Sequence, residues 1–209
     1  MVVQENNNGI FKTMKVLLIG NGPSVLEQNM GKRIDSDEFD LVCRINRGHK
    51  QDNGEFNIGF EKQAGTRCDV WFCSDLRLKL AKERTSEYNQ IFVYFPSFKF
   101  NPTLQKDINI QFENLEILDP IYEKEINSKF NFAPSWPSTG IIAIQYLQKT
   151  NEDIYIHGFD TYDVKYDTSH FFENRPNKYK NSNNNDHSPI LEREYINYMV
   201  NNNKIKILK

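Results

Sequence analysis

The stretch that most constrains this chain is Met14-Lys-Val-Leu-Leu-Ile-Gly-Asn-Gly-Pro-Ser24, an apolar run of strand length that breaks at once into a glycine-rich turn. The first strand of an α/β domain meets a ligand at such a junction. Gly20 and Gly22 let the backbone bend sharply and approach a bound group with no Cβ in the way, and Pro23 pre-sets the first turn of a helix. The N-terminus of that helix would favour an anionic group such as a phosphate. A dinucleotide fingerprint, Gly-x-Gly-x-x-Gly, would need glycine where the chain has Val25, which disfavours an NAD-dependent oxidoreductase. Taken alone, the turn also fits a strand-to-helix connection that binds nothing.

Residues 15–19 and 39–45 read as the first two strands, with a short helix or turn over 25–32 between them. Residues 69–73, 91–94 and 115–118 read as further strands, each short, apolar and bounded by polar residues, and a helix is expected over 76–84. The strongest helical pattern covers 138–148, where Ile141, Ile142, Ile144, Tyr146 and Leu147 form most of a buried surface. Residues 154–156 read as a strand ending at His157-Gly158, 190–200 as a last helix and 205–208 as a closing edge strand. This alternation predicts one Rossmann-like α/β domain over 1–209, with a mostly parallel sheet, helices on both faces and a flexible tail over 1–13. Ligands of such sheets sit beyond the carboxyl ends of the strands, where the loops after Gly20 and Gly158 would lie. The polar segment 160–186 is long enough to be either functional or disordered.

Composition narrows the function. A net charge of -2 over 209 residues supplies no basic field, so no nucleic acid is expected as a partner. The three cysteines, Cys43, Cys68 and Cys73, lack the spacing of a disulfide scaffold or a zinc knuckle and read as buried thiols in a reducing compartment. No apolar run approaches the roughly 18 residues of a membrane span, and the asparagine-rich start has no signal-peptide core. A soluble, cytoplasmic protein is the resulting expectation. The end, 204–209, is weakly basic and amphipathic, which an edge strand explains better than peripheral membrane association.

Of the four histidines, His49 lies in a polar loop and reads as solvated. His157 ends an apolar strand, as either a satisfied edge residue or a ligand. His170 and His187 fall in the long polar segment beside carboxylates, in Ser169-His-Phe-Phe-Glu173 and Asp186-His-Ser-Pro-Ile-Leu-Glu192, where packing alone gives little reason for a histidine. Glu192 could orient the His187 imidazole or cap the last helix. There is no His-Glu-x-x-His pair, no Asp-x-Asp pair at a strand end beside the candidate site and no cysteine–histidine cluster, so no metal is expected. Asn21 and Asn46 close two strands and bring both donor and acceptor groups, which suit a ribose, phosphate or cytosine edge or simply finish a turn. Ser138 and Thr139 are equally an ordinary helix cap.

Taken in order, these segments resemble the eukaryotic-type sialyltransferases and their four sialylmotifs. The large motif is matched by Leu18-Ile-Gly-Asn-Gly-Pro-Ser24, Gly31-Lys-Arg-Ile-Asp35 and Asp40-Leu-Val-Cys-Arg-Ile-Asn46, with Gly59-Phe-Glu61 and Gly65-Thr66 following. Pro137-Ser-Thr-Gly140 leading to His157-Gly-Phe159 matches the small motif, His170-Phe-Phe-Glu173 the third, and His187 with Glu192 the last. Residues 76–132 carry no motif and are where acceptor specificity is expected to vary. Gly22-Pro23 also resembles the first motif of bacterial sialyltransferases of another family. Val16 and Asn151 occupy the positions that secretory-pathway members join by a disulfide, and Trp136 stands where the family often has a tyrosine facing the donor phosphate.

The resemblance implies a variant glycosyltransferase-A fold and a transferase of glycan biosynthesis. Its donor would be a CMP-activated sugar, most simply CMP-sialic acid, and its acceptor a glycan or glycolipid hydroxyl. It implies inversion in one displacement without a cofactor or metal, His187 as base with Glu192 holding it, and His170 on the leaving phosphate. Donor contacts would come from Asn21, Gly22, Ser24, Asn46, Ser138, Thr139, Gly140, Gly158 and Phe159. The alternatives are a transferase for another CMP-linked ulosonic acid such as Kdo, and a non-catalytic nucleotide- or carbohydrate-binding domain of the same fold.

Overall fold

The computed structural model describes residues 14–47, 59–151, 153–161, 165–172 and 187–209. Seven strands form one sheet: β1 (Lys15–Ile19), β2 (Leu41–Ile45), β3 (Val70–Ser74), β4 (Gln90–Tyr94), β5 (Leu115–Ile117), β6 (Asp153–His157) and β7 (Lys206–Ile207). They lie in the order β5-β4-β3-β2-β1-β6-β7, and every neighbouring pair is parallel. Parallel strands have covers on both faces, which is why they read as unbroken apolar runs. Along β1, Val16 and Leu18 face one layer while Leu17 and Ile19 face the other, all four at most 1 % exposed.

Helices α1 (Gly31–Ile34), α2 (Glu61–Ala64), α3 (Leu78–Glu83), α4 (Pro102–Gln111), α5 (Ile121–Phe130), α6 (Thr139–Thr150) and α7 (Pro189–Asn201) complete the described elements together with short 3-10 turns. Ile126 of α5, Ile141, Ile144 and Leu147 of α6 and Tyr195, Ile196 and Met199 of α7 pack on the Val16–Leu18 face. The opposite face carries two clusters. Ile34 of α1 and Ala64 of α2 join Leu17 and Val42, while Ala81 of α3 and Ile108 of α4 join Trp71, Ile91 and Val93. Each of these aliphatic side chains contributes about 1.5–3 kcal/mol when removed from water. The two-faced α/β architecture expected from the sequence is thus the one observed. Helices α4 and α5 were not anticipated, and the helix expected over 76–84 is a 3-10 turn, Asp75–Arg77, followed by α3.

Arg44 breaks the apolar rule at 1 % exposure. Its Nε donates to the Arg67 carbonyl at 2.8 Å and its Nη2 to the Ala64 carbonyl at 2.6 Å, the last residue of α2. The planar guanidinium thereby satisfies carbonyls that the short helix leaves without partners.

The chain builds β1 to β5 outward in one direction and then returns to lay β6 and β7 on the other side of β1. The helices that follow β1 and β6, α1 and α7, therefore pack on opposite faces of the sheet, which makes the carboxyl edge at these two strands the topological switch point where open α/β sheets bind ligands.

Candidate active site

A cleft of about 320 Å³ opens at that switch point, walled by the segments that follow β1, β2, β3, β4 and β6 and by the starts of α6 and α7. Of the residues expected at the site, Asn21, Gly22, Asn46, Ser138, Thr139, Gly140, Gly158, Phe159, His170, His187 and Glu192 all line it. Ser24 does not. Its N–H donates to Asp160 Oδ2 at 2.8 Å, on the loop after β6.

That bond corrects the reading of the opening turn. The segment after Pro23 is a 3-10 turn, Pro23–Glu27, and a carboxylate of the protein itself occupies its N-terminus. Burial pushes the Asp160 carboxyl up, against the lowering effect of its bonds to Ser24. The glycines likewise serve the neighbouring loop more than a ligand. A Cβ on Gly20 would lie 2.3 Å from the Gly158 carbonyl oxygen, and one on Gly22 would lie 2.3 Å from Asp160 Oδ2. The two loops are laced by Gly20 N–H to the His157 carbonyl at 2.7 Å and Gly22 N–H to the Gly158 carbonyl at 2.8 Å.

The two asparagines present opposite polarities to the cleft. Asn21 is 6 % exposed; its Nδ2 donates to the Ile45 carbonyl at 3.3 Å, while its buried Oδ1 has no partner among the described residues. That bond fixes the amide orientation, so Asn21 offers an acceptor oxygen. Asn46 takes a left-handed φ of 46° at the end of β2 and stitches β2 to β3: its N–H reaches the Phe72 carbonyl, its carbonyl receives Trp71 Nε1 at 2.7 Å, and its Oδ1 receives the Ser74 N–H at 3.0 Å. With Oδ1 engaged, the part of Asn46 that can serve a ligand is its NH2.

The N-terminus of α6 lines the cleft, where a helix start can receive an anion. Ser138 stands at the N-cap position, yet its side chain makes no capping bond. Both its N–H, at 3.0 Å from Glu192 Oε1, and its hydroxyl are bonded to Glu192. Gly140 lies one residue into the helix because a Cβ there would meet Phe159 at 2.9 Å and Ile45 at 3.2 Å.

His170 stacks on Phe172 with ring planes 2° apart and is held through the next residue. Phe171 N–H donates to the Asn21 carbonyl at 2.9 Å, and its ring is buried beside Val25 and edge-on to Phe60. His187 precedes the Ser188 cap of α7, and its Nδ1 lies 3.1 Å from the Trp136 carbonyl. A carbonyl can only accept, so Nδ1 carries a proton, and in this tautomer the basic nitrogen of a neutral ring is Nε2. The expectation that Glu192 orients His187 is therefore corrected: the Trp136 carbonyl does so, and Glu192 grips Ser138. Nor does Glu192 cap α7; Ser188 does, its Oγ receiving the Leu191 N–H at 3.4 Å. Glu192 is 3 % exposed, and burial pushes its carboxyl up to about 7 despite the opposing bonds from Ser138.

His157 is corrected as well. It does not line the cleft, and its buried Nε2 meets no hydrogen-bond partner among the described residues, so it is not a satisfied edge histidine. Burial and, secondarily, the Arg44 charge lower its pKa, which keeps the ring neutral. His49 and Glu173 lie outside the described residues. The three cysteines are free thiols; Cys43 and Cys73 are buried and Cys68 only partly. Sequence reasoning missed Asp160, although a carboxylate just past a strand end was a readable signal. It also missed the lining residues after β2, β3 and β4, among them Arg47, Asp75, Arg77 and Lys99. Among the described residues, no group of three His, Cys, Asp or Glu side chains is arranged to hold a metal ion, and no helix is long and apolar enough to cross a membrane.

A parallel α/β sheet with a cleft at its switch point, lined by a helix N-terminus and two histidines, can bind an anionic group and hold a proton-transferring side chain beside it. Comparison with known proteins supplies the class. The family described as Glycosyltransferase family 29 (sialyltransferase) matches residues 6–204, so the chain belongs to that family of glycosyltransferases. Its fold is similar to that of a solved mammalian sialyltransferase, with a TM-score of 0.63 at 17 % identity over 94 % of this chain and 69 % of the other. A mammalian sialyltransferase in complex with Gal-beta-1-3GalNAc-ortho-nitrophenol gives a TM-score of 0.61 at 16 % identity, over 94 % of this chain and 70 % of the other. No curated protein matches the sequence significantly.

Proposed function

We propose that this enzyme moves sialic acid from CMP-sialic acid to a hydroxyl of a glycan or glycolipid acceptor, with inversion at the anomeric carbon and without a metal ion. The observation that carries this reading is that His170, His187, the start of α6 and the Asn21 and Asn46 amides all line one cleft. His187 Nε2 takes the proton of the acceptor hydroxyl as the new oxygen–carbon bond forms, a step suited to a neutral imidazole near pH 7. The bond from the anomeric carbon to the CMP phosphate breaks in the same displacement. The charge left on the phosphate falls to His170, the Asn46 NH2 and the backbone N–H groups at the start of α6. The Asn21 oxygen receives a donor group of the nucleotide, a ribose hydroxyl or the cytosine amine.

Glu192 is a positioning residue in this scheme: by holding Ser138 it sets where the α6 N-terminus points. A reducing compartment belongs to the same reading, supported by three free thiols and by Val16 and Asn151 at the positions that secretory-pathway members join. The acceptor bound by the mammalian neighbour, Gal-beta-1-3GalNAc linked to ortho-nitrophenol, is a first acceptor to try.

The test is release of CMP from a panel of CMP-sugars with galactoside acceptors, followed by NMR assignment of the product's anomeric configuration. Turnover of CMP-sialic acid to an inverted product, unchanged in EDTA, is expected. Turnover of CMP-Kdo alone would move the donor assignment, a retained configuration would refute the single displacement, and activity lost in EDTA and restored by a divalent ion would refute the metal-free scheme.

A further inference from the structure

Two large apolar side chains stand in solvent beside the cleft: Leu76 is 81 % exposed and Phe98 is 66 % exposed. They sit on 3-10 turns that follow adjacent strands, Asp75–Arg77 after β3 and Ser97–Lys99 after β4. Both turns are braced. Lys99 Nζ bonds Asp75 Oδ2 at 3.0 Å and lies 5.7 Å from the centre of the Phe98 ring, so one ammonium group ties the two turns together. Beneath them Glu123, itself 6 % exposed, accepts the Tyr94 hydroxyl and the Ser97 N–H on Oε2, each at 2.8 Å. An apolar side chain held in water by a fixed backbone forgoes burial energy that it could recover against a ligand.

The rings are aligned with the base. Phe98 packs edge to face on Trp136 with centroids 5.3 Å apart, and Trp136 lies edge-on to His187 at 6.1 Å. A row of aromatic rings thus runs from solvent to the imidazole. Asn21 and Asn46, which follow β1 and β2, and the start of α6 bring polar groups to the same cleft. A sugar carries a C–H face as well as hydroxyl groups, and an aromatic ring complements that face.

Resting on the transferase reading, we propose that Phe98 and Leu76 form the platform on which the acceptor sugar lies, its C–H face against the Phe98 and Trp136 rings and its reacting hydroxyl at His187 Nε2. Acceptor affinity is then set by two residues that no motif marks, whereas donor affinity is set by the residues after β1 and β2 and at the start of α6. Phe98 and Leu76 act on binding; neither meets the reacting atoms.

Phe98→Ala and Leu76→Ala are each expected to raise the acceptor KM about tenfold, about 1.4 kcal/mol. The KM for CMP-sialic acid should stay within about twofold, since donor contacts are untouched. Phe98→Tyr, which keeps the ring, should restore the acceptor KM. An unchanged acceptor KM in both alanine variants, or an equal rise in donor KM, overturns the platform and leaves the transferase reading standing. If the wild-type enzyme turns over no CMP-sugar, the transferase reading falls and the platform is judged by saturation-transfer NMR. Aromatic protons are irradiated in the presence of methyl β-galactoside, methyl β-glucoside and methyl α-mannoside. Transfer to the ring C–H protons of at least one glycoside, lost in Phe98→Ala, supports the platform, and transfer to none overturns it. Binding to phosphatidylcholine vesicles that Leu76→Ala abolishes, with no change in acceptor KM, would assign the patch to a lipid surface and also overturn it.

Discussion

Replacing Glu192 with glutamine isolates the cost of keeping a carboxyl inside the protein. The side chain is 3 % exposed, its two bonds come from the N–H and hydroxyl of Ser138, and its pKa rises from 4.5 to about 7, chiefly through burial. The raised value fixes the sign. Below about pH 4.5 both the folded and the unfolded chain hold the proton, and this group adds no pH dependence. Between about pH 4.5 and 7 the unfolded chain has released it while the folded chain retains it, so folding takes up a proton and stability falls as pH rises. A shift of about 2.5 units, at about 1.4 kcal/mol per unit, removes about 3 kcal/mol by pH 8. Glutamine keeps an oxygen for the Ser138 N–H but has no charge to bury. Subtracting the stability curves of the two proteins cancels every other titrating group. Glu192→Gln should therefore gain about 3 kcal/mol on the wild type between pH 4.5 and 8, which moves the urea midpoint by about 1 M or more at m-values of 2–3 kcal/mol/M. Urea unfolding at pH 5, 6, 7 and 8 reads this directly. A difference that stays flat across that range would refute the buried-carboxyl argument and the geometry behind it.

Three further outcomes follow from the same geometry. Gly20→Ala should cost about 2–3 kcal/mol in urea unfolding, because its Cβ would sit 2.3 Å from the fixed Gly158 carbonyl; wild-type stability would show that the two loops are not locked. His187→Ala should lower turnover by about two to four orders of magnitude with CMP affinity preserved in calorimetry, and near-normal turnover in folded protein would remove His187 as the base. Asn46→Asp keeps an oxygen for the Ser74 N–H but replaces the NH2 that faces the ligand with a negative charge. CMP binding should weaken by at least about tenfold, and an unaltered Kd would remove Asn46 from the phosphate site.

The strands were legible because burial on both faces leaves few polar positions to obscure them, and β1, β4 and β6 begin within one residue of where the sequence places them. Helices α4 and α5 were not, for a related reason. Each is ten residues long; α4 buries Ile108 alone, and α5 buries Ile126 together with the acidic Glu123, so neither shows a continuous apolar stripe. The signal for α4 was local: Asn101 precedes Pro102, and its Oδ1 receives the N–H groups of Thr103 and Leu104. At the site, residue types gave residues that line one cleft but not the bonds they make. Ser24 read as a ligand contact because a free helix N-terminus was assumed there, and the sequence cannot show that Asp160, far along the chain, fills it. The partner of His187 is a backbone carbonyl, which every residue has and no side-chain pattern reveals.

The spacing of five between His187 and Glu192 acquires a mechanical meaning from that carbonyl. His187 holds the carbonyl of Trp136 and Glu192 holds the N–H of Ser138, so the first turn of α7 grips a tripeptide at both ends. Between the gripped groups stands Pro137, which has no N–H to offer and whose φ is fixed, so the tripeptide is stiff at its centre. The same tripeptide leads into α6, whose N-terminus lines the cleft. In the proposed reaction, base and phosphate site are thus referenced to one short rigid segment, and a displacement of α7 would move both together. For an in-line displacement, in which the attacking and departing oxygens must keep their alignment through the reaction, referencing both ends to one element holds the geometry more tightly than two independent loops could.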